Sequence, residues 1–191
     1  MNYVVFDIET KNTFDEVESN DPVALDISVV CIYDSKTDTY HSFLQEDFPK
    51  MWPFFEKTDM LITYNGDHFD IPLLNKYYNG NLFQIKSLDL LKEIKNSLGR
   101  RIKMDDIAEA TLGAGKSAHG LEAVKWWKQG KVDLIIKYCL DDVKITKEIF
   151  DYAREHKHLK YRDNGELKEI PLSTKGWMKK QESGVTFSLP F

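Results

Sequence analysis

Hydrophobic and polar positions divide the chain into a strand-rich first half and a helix-rich second half. Tyr3–Ile8 is a short apolar run of β-branched and aromatic residues, as a buried strand requires. After a polar stretch ending near Pro22, Leu25, Ile27, Val29, Cys31 and Tyr33 alternate along a second strand. Asp34–Asp38 then supplies turn residues leading into a third strand over Thr39–Leu44. Phe48–Lys57 predicts a short helix with Pro53 in or near its first turn. Met60–Tyr64 predicts a fourth strand, stopped by Asn65 and Gly66, and Phe69–Tyr78 a helix that tolerates Pro72 in its first turn. Past the Asn79-Gly80-Asn81 stop, Ser87 is the N-cap expected for a helix over Leu88–Leu98. Met104–Leu112, Leu121–Lys128 and Val132–Arg154 follow as further helices. Leu159–Arg162 and Glu166–Ile170 flank Asp163-Asn164-Gly165, a two-residue hairpin signal. Pro171–Phe191 has no clear period, and Phe187, Leu189, Pro190 and Phe191 are expected to cover the edge of the core, with docking of a partner as the alternative. The pattern predicts one α/β domain over residues 1–156, with a hairpin and tail over 157–191 appended to it.

Composition changes this picture little, since 191 residues with 42% hydrophobic content sustain an ordinary core. Charge changes it more. A net charge of −5 excludes a generic basic nucleic-acid coat protein but leaves room for a local cationic groove. Residues 1–85 hold 5 basic and 15 acidic side chains, whereas residues 86–131 hold 10 basic and 6 acidic. That asymmetry suits either solvated helix faces or an acidic, cation-requiring site facing a basic wall that holds phosphates. The two cysteines, Cys31 and Cys139, form neither a disulfide framework nor a zinc pattern and fit a reducing compartment. With no visible signal peptide and no bilayer-length apolar run, a cytoplasmic location and no membrane partner are expected.

Candidate chemistry lies in three separate segments. Asp7 and Glu9 are two residues apart on the first strand, so both carboxylates share one sheet face while Phe6 and Ile8 share the other. Adjacent anions repel unless a cation neutralises them, and hard oxygen ligands suit Mg²⁺ or Mn²⁺. Alone, the pair reads first as a solvated strand edge. In Asn65-Gly66-Asp67-His68-Phe69-Asp70, an acid opening a helix reads by default as a cap, and Asp70 could instead project into a cleft. Tyr138 and Asp142 stand at i and i+4 and share a helix face. Asp67, Asp105, Asp106 and Asp141 are decoys; Asp141 lies about 100° around the helix from Asp142. The histidines lack metal-site spacing. Gly113-x-Gly115-Lys116 lacks the spacing of a P-loop, which excludes an ATPase.

In order, Phe6-Asp7-Ile8-Glu9-Thr10, Asn65-x-x-x-Phe69-Asp70 and Tyr138-x-x-x-Asp142 resemble the tyrosine branch of the DEDD superfamily of 3′–5′ exonucleases. The histidine branch would require His at the position of Lys137. The likeness spans Tyr3 to about Tyr152 and is nearest to the exonuclease domains of family B DNA polymerases and to stand-alone YprB-like proteins. It implies a ribonuclease H-like α/β fold, a mixed sheet flanked by helices. It also implies two divalent cations, Mg²⁺ or Mn²⁺, with Asp7, Glu9 and Asp142 holding one and Asp7 with water-mediated help from Asp70 the other. Tyr138 would orient the attacking water, since a phenol with an ordinary pKa near 10 is a poor base at neutral pH. Paired cations roughly 3.5–4 Å apart stabilise both ends of an in-line phosphodiester displacement.

The implied partner is single-stranded nucleic acid, DNA favoured, held by base stacking and cationic contacts. Candidates for such contacts are Thr10, Phe14, Asn65, His68, Phe69, Arg100, Arg101, Lys103, Lys116 and Lys125. Trp126 and Trp127 read as core plus one exposed ring. An exoribonuclease and a catalytically silent binding module are the competing readings.

Overall fold

The computed structural model describes residues 1–113 and 120–179. Lys116 and the terminal Phe187–Phe191 stretch lie outside the described residues. Five strands, β1 (Tyr3–Thr10), β2 (Ile27–Asp34), β3 (Thr39–Leu44), β4 (Met60–Thr63) and β5 (Lys86–Asp89), form one sheet in the order β3-β2-β1-β4-β5. β1–β2 and β2–β3 pair antiparallel, and β1–β4 and β4–β5 pair parallel, so the sheet is mixed. The fold is a mixed α/β sheet flanked by helices on both faces.

Helices cover both faces because every central strand is apolar on both. Val4, Phe6 and Ile8 face α1 (Phe48–Glu56) and α2 (Asp70–Asn75). Val5 on β1, with Val29, Cys31 and Tyr33 on β2, faces the other layer. That layer contains α3 (Leu90–Leu98), α4 (Met104–Leu112), α5 (Gly120–Lys128) and α6 (Val132–His156). A hairpin of β6 (His158–Asp163) and β7 (Glu166–Pro171) turns on Asn164 and Gly165, both with positive φ, as a tight primed turn demands. Its Leu159, Tyr161 and Ile170 enter the same hydrophobic cluster as α6. Trp177 stacks on Phe150 at 5.8 Å and donates its indole N–H to Glu93, fastening the segment after the hairpin to the core. No helix among the described residues is long and apolar enough to cross a membrane.

Four local expectations change. Lys86–Asp89 is a strand rather than the start of a helix, and the cap of α3 is Asp89, whose carboxylate accepts the Leu91 and Lys92 N–H groups, not Ser87. Ser87 instead donates to Asp67. Helix α2 stops at Asn75, so Tyr77 and Tyr78 leave the helix and pack edge-on against Phe48 and tilted on Trp52. Pro53 sits inside α1 while Pro49 occupies its first turn. Finally, the alternation along β2 is broken opposite Glu9 and Thr10. Val29 pairs with Glu9 and Ile27 with Thr10, leaving Ser28 as an extra residue. The bulge sends Ile27 to the face of Val30 and Ile32, away from Val29 and Cys31.

Candidate active site

On β1 the two-residue period that buries Val5 places Asp7 and Glu9 on the same face, toward α6. The apolar core thus gives way to acid at the end of one strand. Across from it, α6 buries a stripe of Ile135, Cys139, Asp142, Val143, Thr146 and Ile149. Asp142 occupies the stripe position level with the two strand acids. Carboxylate oxygens of Asp7, Glu9 and Asp142 all lie within 4.8 Å of one another. Cys139, one turn earlier, fills the space beneath, its thiol 3.4 Å from the Asp7 carbonyl oxygen. Both cysteines are free thiols.

Asp70 arrives from the other layer. β4 pairs with β1 only through Val5, so the backbone of β1 beyond that point has no strand neighbour on this side. The buried Asp70 carboxylate accepts the Ile8 N–H there, as well as its own. The loop that delivers it is tightly built. Asn65 adopts a left-handed conformation at φ 75°, and its carbonyl accepts the N–H groups of His68 and Phe69. A Cβ on Gly66 would stand 2.4 Å from the Thr63 side chain, so only glycine fits. Asp89, a residue without a role in the sequence reading, pins this loop: besides capping α3 it accepts the N–H groups of Asn65 at 2.8 Å and Asp67 at 3.2 Å. A buried acid at a strand end, just before a helical period, was the signal that could have found it.

The electrostatics separate these acids. Burial pushes the Asp7 carboxyl well above the usual carboxylate range, and Asp70, Asp142 and Glu9 add repulsion. Glu9 is raised for the same reasons, burial first and then Asp142 and Asp70. Burial lifts Asp70 to about 7 against the opposing effect of its N–H bonds. The Tyr138 phenol is raised by burial, by the charges of Asp142, Glu9 and Asp7, and by its hydrogen bond to Asp142. Tyr138 also packs edge-on against Trp126 at 6.1 Å. An all-oxygen donor set this dense, buried and short of counter-charge fits a hard divalent cation.

The carboxylates open onto a cleft of about 430 Å³, lined also by Thr10, Asn12, Phe14, Asn65 and Phe69. Phe14 and Phe69 meet edge to face at 6.1 Å. Thr10 donates its hydroxyl to the Asn12 carbonyl at 2.9 Å, which shapes the rim. On the far rim Glu16 pairs with Lys128, and the Lys11 ammonium sits 5.0 Å from the Trp127 ring centre, joining the loop after β1 to α5.

Of the proposed nucleic-acid contacts, Thr10, Phe14, Asn65 and Phe69 therefore share the cleft. Arg101 joins its edge by donating to the Asn65 side-chain oxygen at 2.5 Å, and the exposed His68 faces an adjoining groove. Arg100 does not come to the cleft: it pairs with Asp163 at 3.1 Å and covers the Tyr161 ring, bracing the hairpin. Lys103 is exposed at the start of α4 and lines neither the cleft nor that groove. Lys125 pairs with Glu122. Asp67 is taken up by Ser87 and Lys92, and Asp141 is exposed, outside the cluster.

No curated protein matches the chain. Among solved structures, the family B DNA polymerase from the hyperthermophilic archaeon Pyrobaculum calidifontis shares its fold, with a TM-score of 0.61 and 19% identity over 80% of this chain and 24% of the polymerase. The chain thus spans about a quarter of the length of that relative. A family model for the RNase_H superfamily matches residues 4–154, which supports a nuclease function, and RNase H-like nucleases use divalent metal ions. With that match running from the first strand to the last turns of α6, the chain belongs to the RNase_H superfamily.

Proposed function

We propose that this protein is a metal-dependent 3′–5′ exonuclease that removes nucleotides from single-stranded nucleic acid, with DNA as the favoured polymer. The observation that carries the reading is the convergence of Asp7, Glu9 and Asp142 within 4.8 Å, with Tyr138 hydrogen-bonded to Asp142. Asp7, Glu9 and Asp142 would hold one divalent ion, and Asp7 with Asp70 a second. Such ions supply charge stabilisation for the attacking and leaving oxygens of an in-line displacement.

The chain's own residues do the rest. Tyr138 cannot serve as a base, because burial and three anions hold its proton on. Its hydroxyl instead orients the water for attack on the terminal phosphate. Phe14 and Phe69 give the last base an aromatic wall, and Thr10 and Asn12 line the pocket beside it. Asp89 keeps the Asn65–Asp70 loop in register with β1. Within the 157–191 appendage, the described residues 157–179 brace the unit formed by residues 1–156, with Leu159, Ile170 and Trp177 entering its core.

The test is incubation of purified protein with 5′-labelled single-stranded DNA and RNA in Mn²⁺, Mg²⁺ or EDTA. Metal-dependent shortening from the 3′ end, faster on DNA, is expected. Faster loss of RNA would make it an exoribonuclease, and binding of both polymers without cleavage would remove the catalytic reading.

A further inference from the structure

We infer that a basic groove running from Asn65 along α3 is the track for the sugar-phosphate backbone of the nucleotides 5′ of the cleaved one. This inference rests on the nuclease reading and adds to it the residues that hold the body of the strand. Asn65 lines both the carboxylate cleft and a neighbouring depression of about 370 Å³, so the two are continuous at that residue. The depression presents His68, Lys92, Lys95 and Arg101. Lys92 and Lys95, at i and i+3, share one face of α3. Arg101 reaches the same line from beyond the helix, anchored to the Asn65 side chain at 2.5 Å.

Two acids also line the groove, and both are already occupied. Asp89 is buried and accepts four backbone N–H groups. Asp67 accepts from Ser87 and pairs with Lys92 at 2.8 Å. The charge left to solvent is therefore positive, and among the described residues Lys95 has no ion-pair partner. A strongly acidic cleft repels a polyanion, and a cationic strip beginning at its edge offsets that repulsion where the strand enters. Past Lys92 and Asp67 the groove continues to Phe83, a residue 58% exposed. Such a ring offers a base a stacking surface at the end of the track without sequence preference.

The experiment compares two substrates, a 5′-labelled single-stranded 12-mer and the p-nitrophenyl ester of thymidine 5′-monophosphate, which fills only the cleft. In the wild type, kcat/KM for the 12-mer should exceed that for the ester and should fall steeply with salt. Lys95→Ala combined with Arg101→Ala should narrow that advantage and make the log–log salt slope for the 12-mer shallower by about 1.4, from roughly 0.7 per lost phosphate contact on a single strand. Lys95→Glu should narrow it further, Lys95→Arg should retain it, and Phe83→Ala should narrow it with the slope unchanged. An unchanged advantage and slope in the double variant, with both substrates still hydrolysed, would overturn the track. Failure of the wild type to hydrolyse either substrate would instead overturn the nuclease reading on which the track depends.

Discussion

Two sets of acids, linked through the Asn65–Asp70 loop, differ in what surrounds them. Asp89 is 6% exposed and accepts four backbone N–H bonds from the loop after β4 and the first turn of α3. Asp7, Glu9 and Asp142 are packed chiefly against one another, and burial plus mutual repulsion drives the Asp7 and Glu9 carboxyls toward protonation. The first arrangement converts a charge into folding free energy, because orphan N–H groups at a helix start gain a partner. The second costs folding free energy as it stands and becomes favourable only with a cation. Burial of an acid therefore does not by itself separate a structural carboxylate such as Asp89 from the candidate metal ligands.

Substitutions should break this contrast in opposite directions. The largest effect is expected for Asp7→Ala or Asp142→Ala, each lowering metal-dependent hydrolysis by on the order of a thousandfold or more, read as single-turnover rates on labelled DNA. The fold should persist by circular dichroism, since removing either side chain relieves repulsion within the buried cluster. Next, Asp89→Ala should remove about 2–4 kcal/mol of stability in urea unfolding, a lost cap plus buried N–H groups left without acceptors. Asp7→Asn at pH 8 without metal should instead raise the melting temperature. A loss for Asp89→Ala and a gain for Asp7→Asn, both read also as melting temperatures, would sharpen the distinction; two losses of similar size would erase it.

Tyr138→Phe should be milder, a fall of about tenfold to a hundredfold in kcat with metal affinity retained, because it removes an orienting hydroxyl and no ligand. The smallest effect is on stability against pH. Asp70 is raised to about 7 in the fold, so the folded state binds more protons than the unfolded one. The destabilisation is full above pH 7 and is relieved as pH falls toward the unfolded value near 4. Metal-free protein should therefore melt a few degrees higher at pH 5.5 than at pH 8, and Mg²⁺ or Mn²⁺ should raise the pH 8 value more than the pH 5.5 value.

The same-face pairs of the candidate site were legible because their spacing is short-range and periodic, whereas their union with Asp70 into one site came from the family resemblance. Asp7 and Glu9 on a strand, and Tyr138 and Asp142 on a helix, each fall on one face by the geometry of the element alone. The α/β class was legible from strong apolar runs such as Tyr3–Ile8 and Met60–Tyr64. What escaped depends on partners distant in sequence. β5 begins with Lys86 and Ser87, which carry no strand signal, because its pairing is decided by β4; Lys86 is held there by the Gly176 and Trp177 carbonyls. With the strand unread, Asp89 lost its place as cap, and Lys92 and Lys95 looked like an ordinary solvated face. Arg100 looked equivalent to Arg101, yet one turns to Asp163 and the other to Asn65. The bulge at Ser28 could not be read because alternation continues through it in the sequence.

The central claim is that these carboxylates form a cation site, and calorimetric titration of Mn²⁺ into the wild type and Asp7→Asn at pH 7, in two buffers of different ionisation enthalpy, tests it directly. The wild type should bind with release of protons from the raised carboxyls, and the variant should lose that binding. Binding of equal strength by the variant, or none by the wild type, would contradict it.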